Sequence, residues 1–386
     1  MRSYYDVIVI GGGINGVLCA IGLEKAGVST VVLEERDSLL SNMKDRVFAI
    51  ARRSKEILEF YGVWEEKAGY GKIDHIMIYD EGGCTSVHYD KKFVDNMPMG
   101  YVVEAEELAK DIKKGIRFDY ITSSPYETLT RSGGFAEVSL ADGTKLKASL
   151  VICADGKASK LRKLLDMPAI DYNFGQSCII CNIRHGRNHS NTAIEHFYPS
   201  GPFAILPMGG GFTSSIVWTE KTITAEKLFN SDNFERELEK KCSFFLGKLE
   251  LASERKIFNI SMSFLKKQFS DRVIFMGDAA HTIHPLAGQG LNLGIREGMA
   301  ISNILGKYNK LGTDLGQKFI LQEIENSRIL DNLSMAAVTT ITNSLFSSNS
   351  LIRKVIRRAA MSIVDMSPLL KRKLMTHAMG ISKLCE

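Results

Sequence analysis

Three glycine-bearing turns in this sequence have the spacing to hold a large, anionic, hydroxyl-rich ligand. The first is Gly11-Gly12-Gly13-Ile14-Asn15-Gly16, with glycine at the first, third and sixth positions. The apolar run Val7-Ile8-Val9-Ile10 precedes it. A helical pattern follows to Lys25, Ala26-Gly27 stops it, and a second apolar run, Thr30 to Leu33, ends in Glu34. In such a unit Gly11 permits the tight turn, Gly13 lets the backbone approach a pyrophosphate, and Gly16 lets the helix lie close to the strand. The helix start then offers free N–H groups and partial positive charge to phosphate. Glu34, at the end of the second strand, is placed to accept ribose hydroxyls. Strand, turn, helix, strand and acid together indicate a dinucleotide, without saying which one.

The second turn makes that choice. Gly277-Asp278 closes the apolar strand Arg272–Met276, where a carboxylate can take the hydroxyls of a ribityl chain. Nicotinamide dinucleotides have no such chain, so the cofactor is read as FAD. A few residues on, Gly288-Gln289-Gly290-Leu291-Asn292 opens another helix. Backbone at Pro285, Gly288, Gln289 and Gly290 is the candidate for stabilising negative charge on a reduced flavin. The third turn, Asp155-Gly156, would read as an ordinary turn by itself. His281 and His284 lie beside the second turn, where a structural hydrogen-bonding role is the better reading, and no general base is evident. No second strand-led glycine fingerprint exists for a nicotinamide cofactor. Cys178 and Cys181 lie three apart in a strand-like run and so face opposite ways. With no second such pair, no metal site is expected.

In this order, Gly11-Gly13-Gly16, Ala154-Asp155-Gly156 with Ser159 and Arg162, and Gly277-Asp278 resemble the three signatures of the class A flavoprotein monooxygenases of the para-hydroxybenzoate hydroxylase fold. The resemblance narrows to the ubiquinone-biosynthesis hydroxylases. Arg46 with Ala49, then Leu58, Gly62, Val63 and Trp64, are similar to that family's segment after the second strand. Gly201–Met208 with Val217-Trp218 resembles its substrate-sheet segment, and His284–Gly294 its flavin segment. Leu345-Phe346, Arg357 and Met379-Gly380 extend the likeness to the end of the chain. One departure is Glu297, where an aspartate is expected. The resemblance implies that NAD(P)H reduces bound FAD and that one atom of O2 is delivered to an electron-rich phenol. It also implies that Asp155-Gly156 serves both FAD and NAD(P)H, that Asp278 holds the ribityl chain, and that Arg46 contacts the FAD pyrophosphate or moves with the flavin.

The elements that must position these turns predict an α/β protein: a Rossmann-like FAD-binding domain with an inserted β-sheet substrate domain and a C-terminal helical segment. Unalternating apolar strands near residues 7, 30, 150 and 273 suit one buried parallel sheet. Strand-rich stretches between them suit an antiparallel insert. The expected division gives residues 1–74, 104–171 and 263–330 to the FAD-binding part. Residues 75–103 and 172–262 form the substrate sheet, and 331–386 a basic helical segment.

Of 386 residues 45% are hydrophobic and 24% charged, ordinary for a globular chain. The net charge of +5 is concentrated, because Leu351–Glu386 holds eight Lys or Arg against two acids. No basic groove for nucleic acid is expected across the body. Seven scattered cysteines point to a reducing compartment. An N-terminus feeding directly into the first glycine turn leaves no room for a cleaved signal, so the expected location is cytoplasmic and peripheral on the inner face of the membrane. Ile352, Val355, Ile356, Ala359 and Ile363 recur at helical spacing beside Arg353, Lys354, Arg357 and Arg358, a pattern that can rest on anionic lipid. The expected partners are a polyprenyl phenol, that membrane surface and other ubiquinone-biosynthesis proteins. Two alternatives remain: a soluble hydroxylase of a small aromatic acid, for which Arg184 or Arg187 would hold the carboxylate, and a non-catalytic FAD-binding subunit. The halogenase Trp-x-Trp pattern is absent, since the tryptophans are Trp64 and Trp218.

Overall fold

The computed structural model describes residues 2–80, 85–284, 288–346 and 351–381. Its first sheet is built on the strands the sequence predicts. Tyr4–Ile10 lies between Thr30–Leu33 and Lys145–Cys153, and Val273–Phe275 pairs with the latter, all in parallel. Val7, Ile8, Val9, Val31, Val32, Val151, Ile152 and Ile274 are fully buried, as strands covered on both faces require. Asp119–Ile121 adds a further parallel strand beside Thr30–Leu33. The hairpin Tyr126–Ser132 and Phe135–Leu140 joins antiparallel. The helix Ile14–Lys25 covers one face and packs against the helix Gln289–Lys310.

The inserted sheet runs in the order His281–Thr282, Lys256–Leu265, Ala169–His185, Thr213–Lys221, Gly201–Pro207, Thr192–Tyr198, His75–Asp80 and Ser86–Asp90. Its outer face is sealed. Ile179, Ile205 and Ile216 are fully buried, packed with Phe234, Leu238 and Cys242 of the helix Phe234–Leu246. Two helices, Thr222–Phe229 and Phe234–Leu246, thus interrupt the strands of the insert.

A third sheet was not anticipated. Val47–Ala51 pairs with Gly100–Glu104, which also pairs with Gly71–Ile73. The strand Gly100–Glu104 therefore belongs with residue 47 rather than with the large sheet, although it falls in the 75–103 segment. The sequence Glu81-Gly82-Gly83 between two strand-like runs suits a turn, and it lies outside the described residues.

From Gln289 onward the described residues are mainly helical: Gln289–Lys310, Lys318–Phe346, Leu351–Met366 and Pro368–Ala378. Two arginines of the basic helix turn inward to the sheet. Arg357 is buried and pairs with Asp80 at 2.6 Å, and Arg358 reaches the same carboxylate at 3.2 Å. These two arginines hold the helix to the sheet, because a buried carboxylate needs a cation and hydrogen bonds to remain charged. Val355, Ile356 and Ile363 of the anticipated stripe are exposed.

Candidate active site

The first turn is shaped by what cannot fit there. A Cβ on Gly11, whose φ is +112°, would meet the Ala154 carbonyl oxygen at 2.3 Å, and one on Gly16 would meet the Gly11 oxygen at 2.0 Å. Gly13 differs, since a Cβ there would meet nothing within 4 Å. Its helix has no side-chain cap, so its first N–H groups face open space. Glu34 is buried and holds the loop: one carboxylate oxygen accepts from Gly12 N at 2.7 Å and the other from Arg36 N at 3.0 Å. A carboxylate has about four acceptor positions, so capacity for ribose hydroxyls remains.

Asp155 sits at the neighbouring strand end. Its Oδ2 accepts from Lys160 N at 2.9 Å and its Oδ1 from the Cys153 thiol at 3.0 Å. Ser159 caps the short helix that follows by accepting from Arg162 N at 3.0 Å. The Asp155-Gly156 turn leans on Gly11 through Ala154, so the two turns fix each other.

Asp278 and Arg46 share an unusual environment. Each side chain is accessible to solvent yet crowded by protein on most sides, as for groups lining a deep cleft. Crowding raises the Asp278 pKa above the ordinary carboxylate value, partly offset by His281, Arg46 and Lys157. Desolvation lowers that of Arg46, partly offset by Asp278. The two thus feel each other's charge across the cleft. The position a Cβ would take on Gly290 lies 3.9 Å from Asp278 Oδ1, which places the second helix start directly beside this carboxylate. That helix is led by Gly288 at φ +63°, again without a side-chain cap. Pro285 lies outside the described residues.

Gln289 and Asn292 are buried and serve mainly as ties. Asn292 accepts from Ala51 N at 2.7 Å and donates to the Ala49 and Gly288 oxygens at 2.8 and 3.0 Å, clamping the third sheet to the helix start. Gln289 donates to the Ala378 oxygen at 3.4 Å, which brings the last helix to the site. Leu291 packs partly buried against the main core.

Two positioning residues escaped sequence reasoning. Glu297, noticed only as a departure, accepts from Gly277 N at 2.7 Å and contacts His281 Nε2 at 3.1 Å. Burial opposes its ionisation, but His281, the Gly277 N–H and Arg328 prevail and hold its pKa below the ordinary value. His281 is correspondingly raised: burial disfavours its charge and Glu297 outweighs burial. Asn15 lies between the turns, so a Cβ on Gly294 would meet its Nδ2 at 2.2 Å and one on Gly277 at 2.8 Å. Nothing in the fingerprint marks Asn15, because its role depends on two distant glycines. His284 is buried against Phe174, edge to face at 4.9 Å, and burial pushes its pKa down to about 4. A neutral ring without acid–base duty fits that position.

The fold and these turns define a flavoprotein. A model of the FAD binding domain matches residues 4–312. The chain is 33% identical to the ubiquinone hydroxylase UbiL of Rhodospirillum rubrum, over 98% of this chain and 90% of that one. It is 25% identical to the 3-demethoxyubiquinol 3-hydroxylase of Escherichia coli, over 97% and 98% of the two chains. In fold it is similar to p-nitrophenol 4-monooxygenase PnpA from Pseudomonas putida, with a TM-score of 0.80 at 18% identity over 99% of this chain and 100% of that one. The chain belongs to the FAD-binding-domain family and, within it, to the ubiquinone-biosynthesis hydroxylase group. It is an FAD-dependent monooxygenase that works with NAD(P)H and O2.

Proposed function

We propose that this chain hydroxylates the aromatic ring of a polyprenyl phenol in ubiquinone biosynthesis. The observation that carries the reading is the pair of uncapped helix starts, the second beside Asp278, together with the accessible, crowded and mutually interacting Asp278 and Arg46. The residues fit FAD. Gly11, Gly13, Gly16 and the first helix start would take the pyrophosphate, Glu34 the ribose, and Arg46 a phosphate. Asp278 and Gly277 would take the ribityl hydroxyls, with Asp155-Gly156 closing the floor. Gly288, Gly290, Leu291 and Asn292 would set the second helix start toward the ring system, where its N–H groups favour negative charge. FAD, once bound, supplies the electron transfer and oxygen activation that no side chain can. The protein binds and orients the phenol and keeps water from it.

We assign residues 1–74, 104–171 and 263–330 to the FAD-binding part, with Gly100–Glu104 counted there by its pairing. Residues 172–262 and the strands at 75–90 form the substrate sheet, and 331–386 the tail. The small-acid alternative lacks support from its arginines. Arg187 donates to the Phe244 oxygen at 3.1 Å, and Arg184 is exposed on the cleft rim, 3.5 Å from Glu250.

The substrate class bears on the tail. Among the described residues no helix is long and apolar enough to cross a membrane. Val355, Ile356, Ile363, Met366 and Leu369 are nevertheless exposed on the terminal helices, close in sequence to Arg372 and Lys373. Attachment to an anionic membrane surface through this face is the reading these residues favour. Other biosynthetic proteins remain candidate partners for the same face.

The direct test is turnover. With FAD, NAD(P)H, isotopically heavy dioxygen and a short-chain prenylated phenol, the product should gain a single labelled oxygen. NAD(P)H oxidation yielding peroxide alone, with no labelled product, would contradict the assignment.

A further inference from the structure

The inner face of the inserted sheet carries one carboxylate that the scaffold leaves bare. Register places Ile78, Glu195, Ala204, Val217 and Ile180 in a single cross-strand row. Paired residues share a face, so Glu195 is the acid in an otherwise apolar row. On the sealed outer face Ile179, Ile205 and Ile216 have no exposure, whereas Ile78, Val217 and Ile180 keep part of their surface in mid-sheet. Ile78 packs in the cluster that holds Phe197 and Phe346, whereas Ala204, Val217 and Ile180 belong to no such cluster, so the row fronts a space from Ala204 to Ile180.

That space is on the flavin side. The row ends in Lys256, opposite Ile180, whose Nζ donates to the Lys44 oxygen at 2.5 Å, two residues from Arg46. Asn182 and Met208, on the same face, line a cleft of 280 Å³ together with Met43, Asp45 and Arg46. Val47, at the start of the strand held by Asn292, packs in the same cluster as Phe197, the next inward residue after Glu195.

Glu195 makes no hydrogen bond or ion pair among the described residues, although protein crowds it and its oxygens retain some access. Crowding alone pushes its pKa up to about 7. The charged groups near it are engaged elsewhere. Asp80, the next inward residue on the adjacent strand, is paired with Arg357 and Arg358. Tyr89 and Cys178 are buried with raised pKa values and carry no charge near neutrality. Lys256 is at the far end of the row. Strand Gly201–Pro207 and residues 335–346 of the covering helix contain no ionisable side chain. A carboxylate crowded by protein, with solvent access and no protein partner, is free to accept a hydrogen bond from a ligand.

We propose that Glu195 is the base that accepts the phenol proton of the substrate ring. This rests on the hydroxylase reading and adds the residue that activates the ring. The phenol O–H bond breaks, the proton forms an O–H bond on a Glu195 carboxylate oxygen, and the electron pair stays on the phenolate oxygen, which enriches the ring for attack. The proton returns to the product oxygen and regenerates the carboxylate. A mostly apolar row with a carboxylate at its middle suits a prenylated phenol and repels the charge of a small aromatic acid.

The test uses FAD-loaded protein, a short-chain 2-prenylphenol, and the variants Glu195→Gln and Glu195→Asp. Without NAD(P)H, near-ultraviolet difference spectra report the hydrogen bond made by the bound phenol O–H. In the wild type the phenol band should move to longer wavelength as Glu195 ionises through about pH 7 and accepts that O–H, whereas Glu195→Gln should show no pH-dependent shift across that range. In turnover, kcat/KM should fall about 10²–10⁴-fold in Glu195→Gln and lose its acid limb, with partial recovery in Glu195→Asp. Flavin content should not change. A band shift or pH profile in Glu195→Gln identical to wild type overturns the proposal. If no chain hydroxylates the phenol yet the band still depends on Glu195, the hydroxylase reading fails and the proton acceptor stands.

Discussion

The parallel sheet and the inserted sheet handle buried acids in opposite ways. In the first, Glu34, Asp155 and Glu297 each accept from backbone N–H groups and shape a turn. In the second, Glu195 has crowding without partners. A satisfied carboxylate fixes its surroundings and is part of the scaffold, whereas an unsatisfied one beside open space is completed by what binds there.

The sharpest way to break the scaffold half of this contrast is Gly16→Val. Its Cβ would overlap the Gly11 carbonyl oxygen at 2.0 Å, with the Ala154 Cβ at 3.3 Å. The expected result is little folded protein and no flavin in what survives, read by soluble yield and visible absorbance. Normal flavin content would mean the turns yield more easily than their geometry states.

Glu297→Gln should come next. It keeps the size of the residue but removes the charge that His281 and Gly277 N share. Breaking a buried pair of this kind costs about 3 kcal/mol, to be measured by denaturant unfolding. The His281 pKa, raised while Glu297 is present, should fall in the variant, as an NMR titration would record.

Glu195→Gln should behave oppositely. The folded protein holds the Glu195 proton up to about pH 7, while the unfolded chain releases it near the ordinary value of 4.5. Between those values the folded state binds more protons, so stability drops as pH rises through the window. Relative to wild type, the variant's Tm should be nearly unchanged near the lower value and roughly 2–6 °C higher above the upper one. An equal shift at both ends would place Glu195 with the satisfied acids.

The smallest effect on stability belongs to the tail. Replacing Ile356 and Ile363, 54% and 62% exposed, with serine should change unfolding free energy by less than about 0.5 kcal/mol. Flotation with anionic vesicles should nonetheless decline. Unaltered flotation would leave this face to a protein partner.

How much could be read from the chain follows the same division. The glycine fingerprint, the Glu34 position and the Gly277-Asp278 turn were legible because each acts within a few residues of a strand end. The parallel core was legible because Val7–Ile10 and Leu150–Cys153 are unbroken apolar runs. The third sheet was not, since Val47–Ala51 shows no alternation and its partner lies 50 residues away. Arg357 looked like part of a lipid-facing helix because its partner, Asp80, is brought to it only by the fold. Asn15 and Glu195 carry no local signature. The first matters through glycines at 277 and 294, and the second through a row drawn from five strands.

The central claim is that FAD is seated across all three turns with its ribityl arm at Asp278. Titration calorimetry of flavin-stripped protein with FAD, wild type against Asp278→Ala, tests it most directly. Uptake of a single FAD per chain is expected, weakened at least about tenfold in the variant, since a hydrogen bond to a charged group is worth roughly 1.5–3 kcal/mol. A wild-type chain that takes up no FAD, or a folded Asp278→Ala that binds it equally well, would contradict the account.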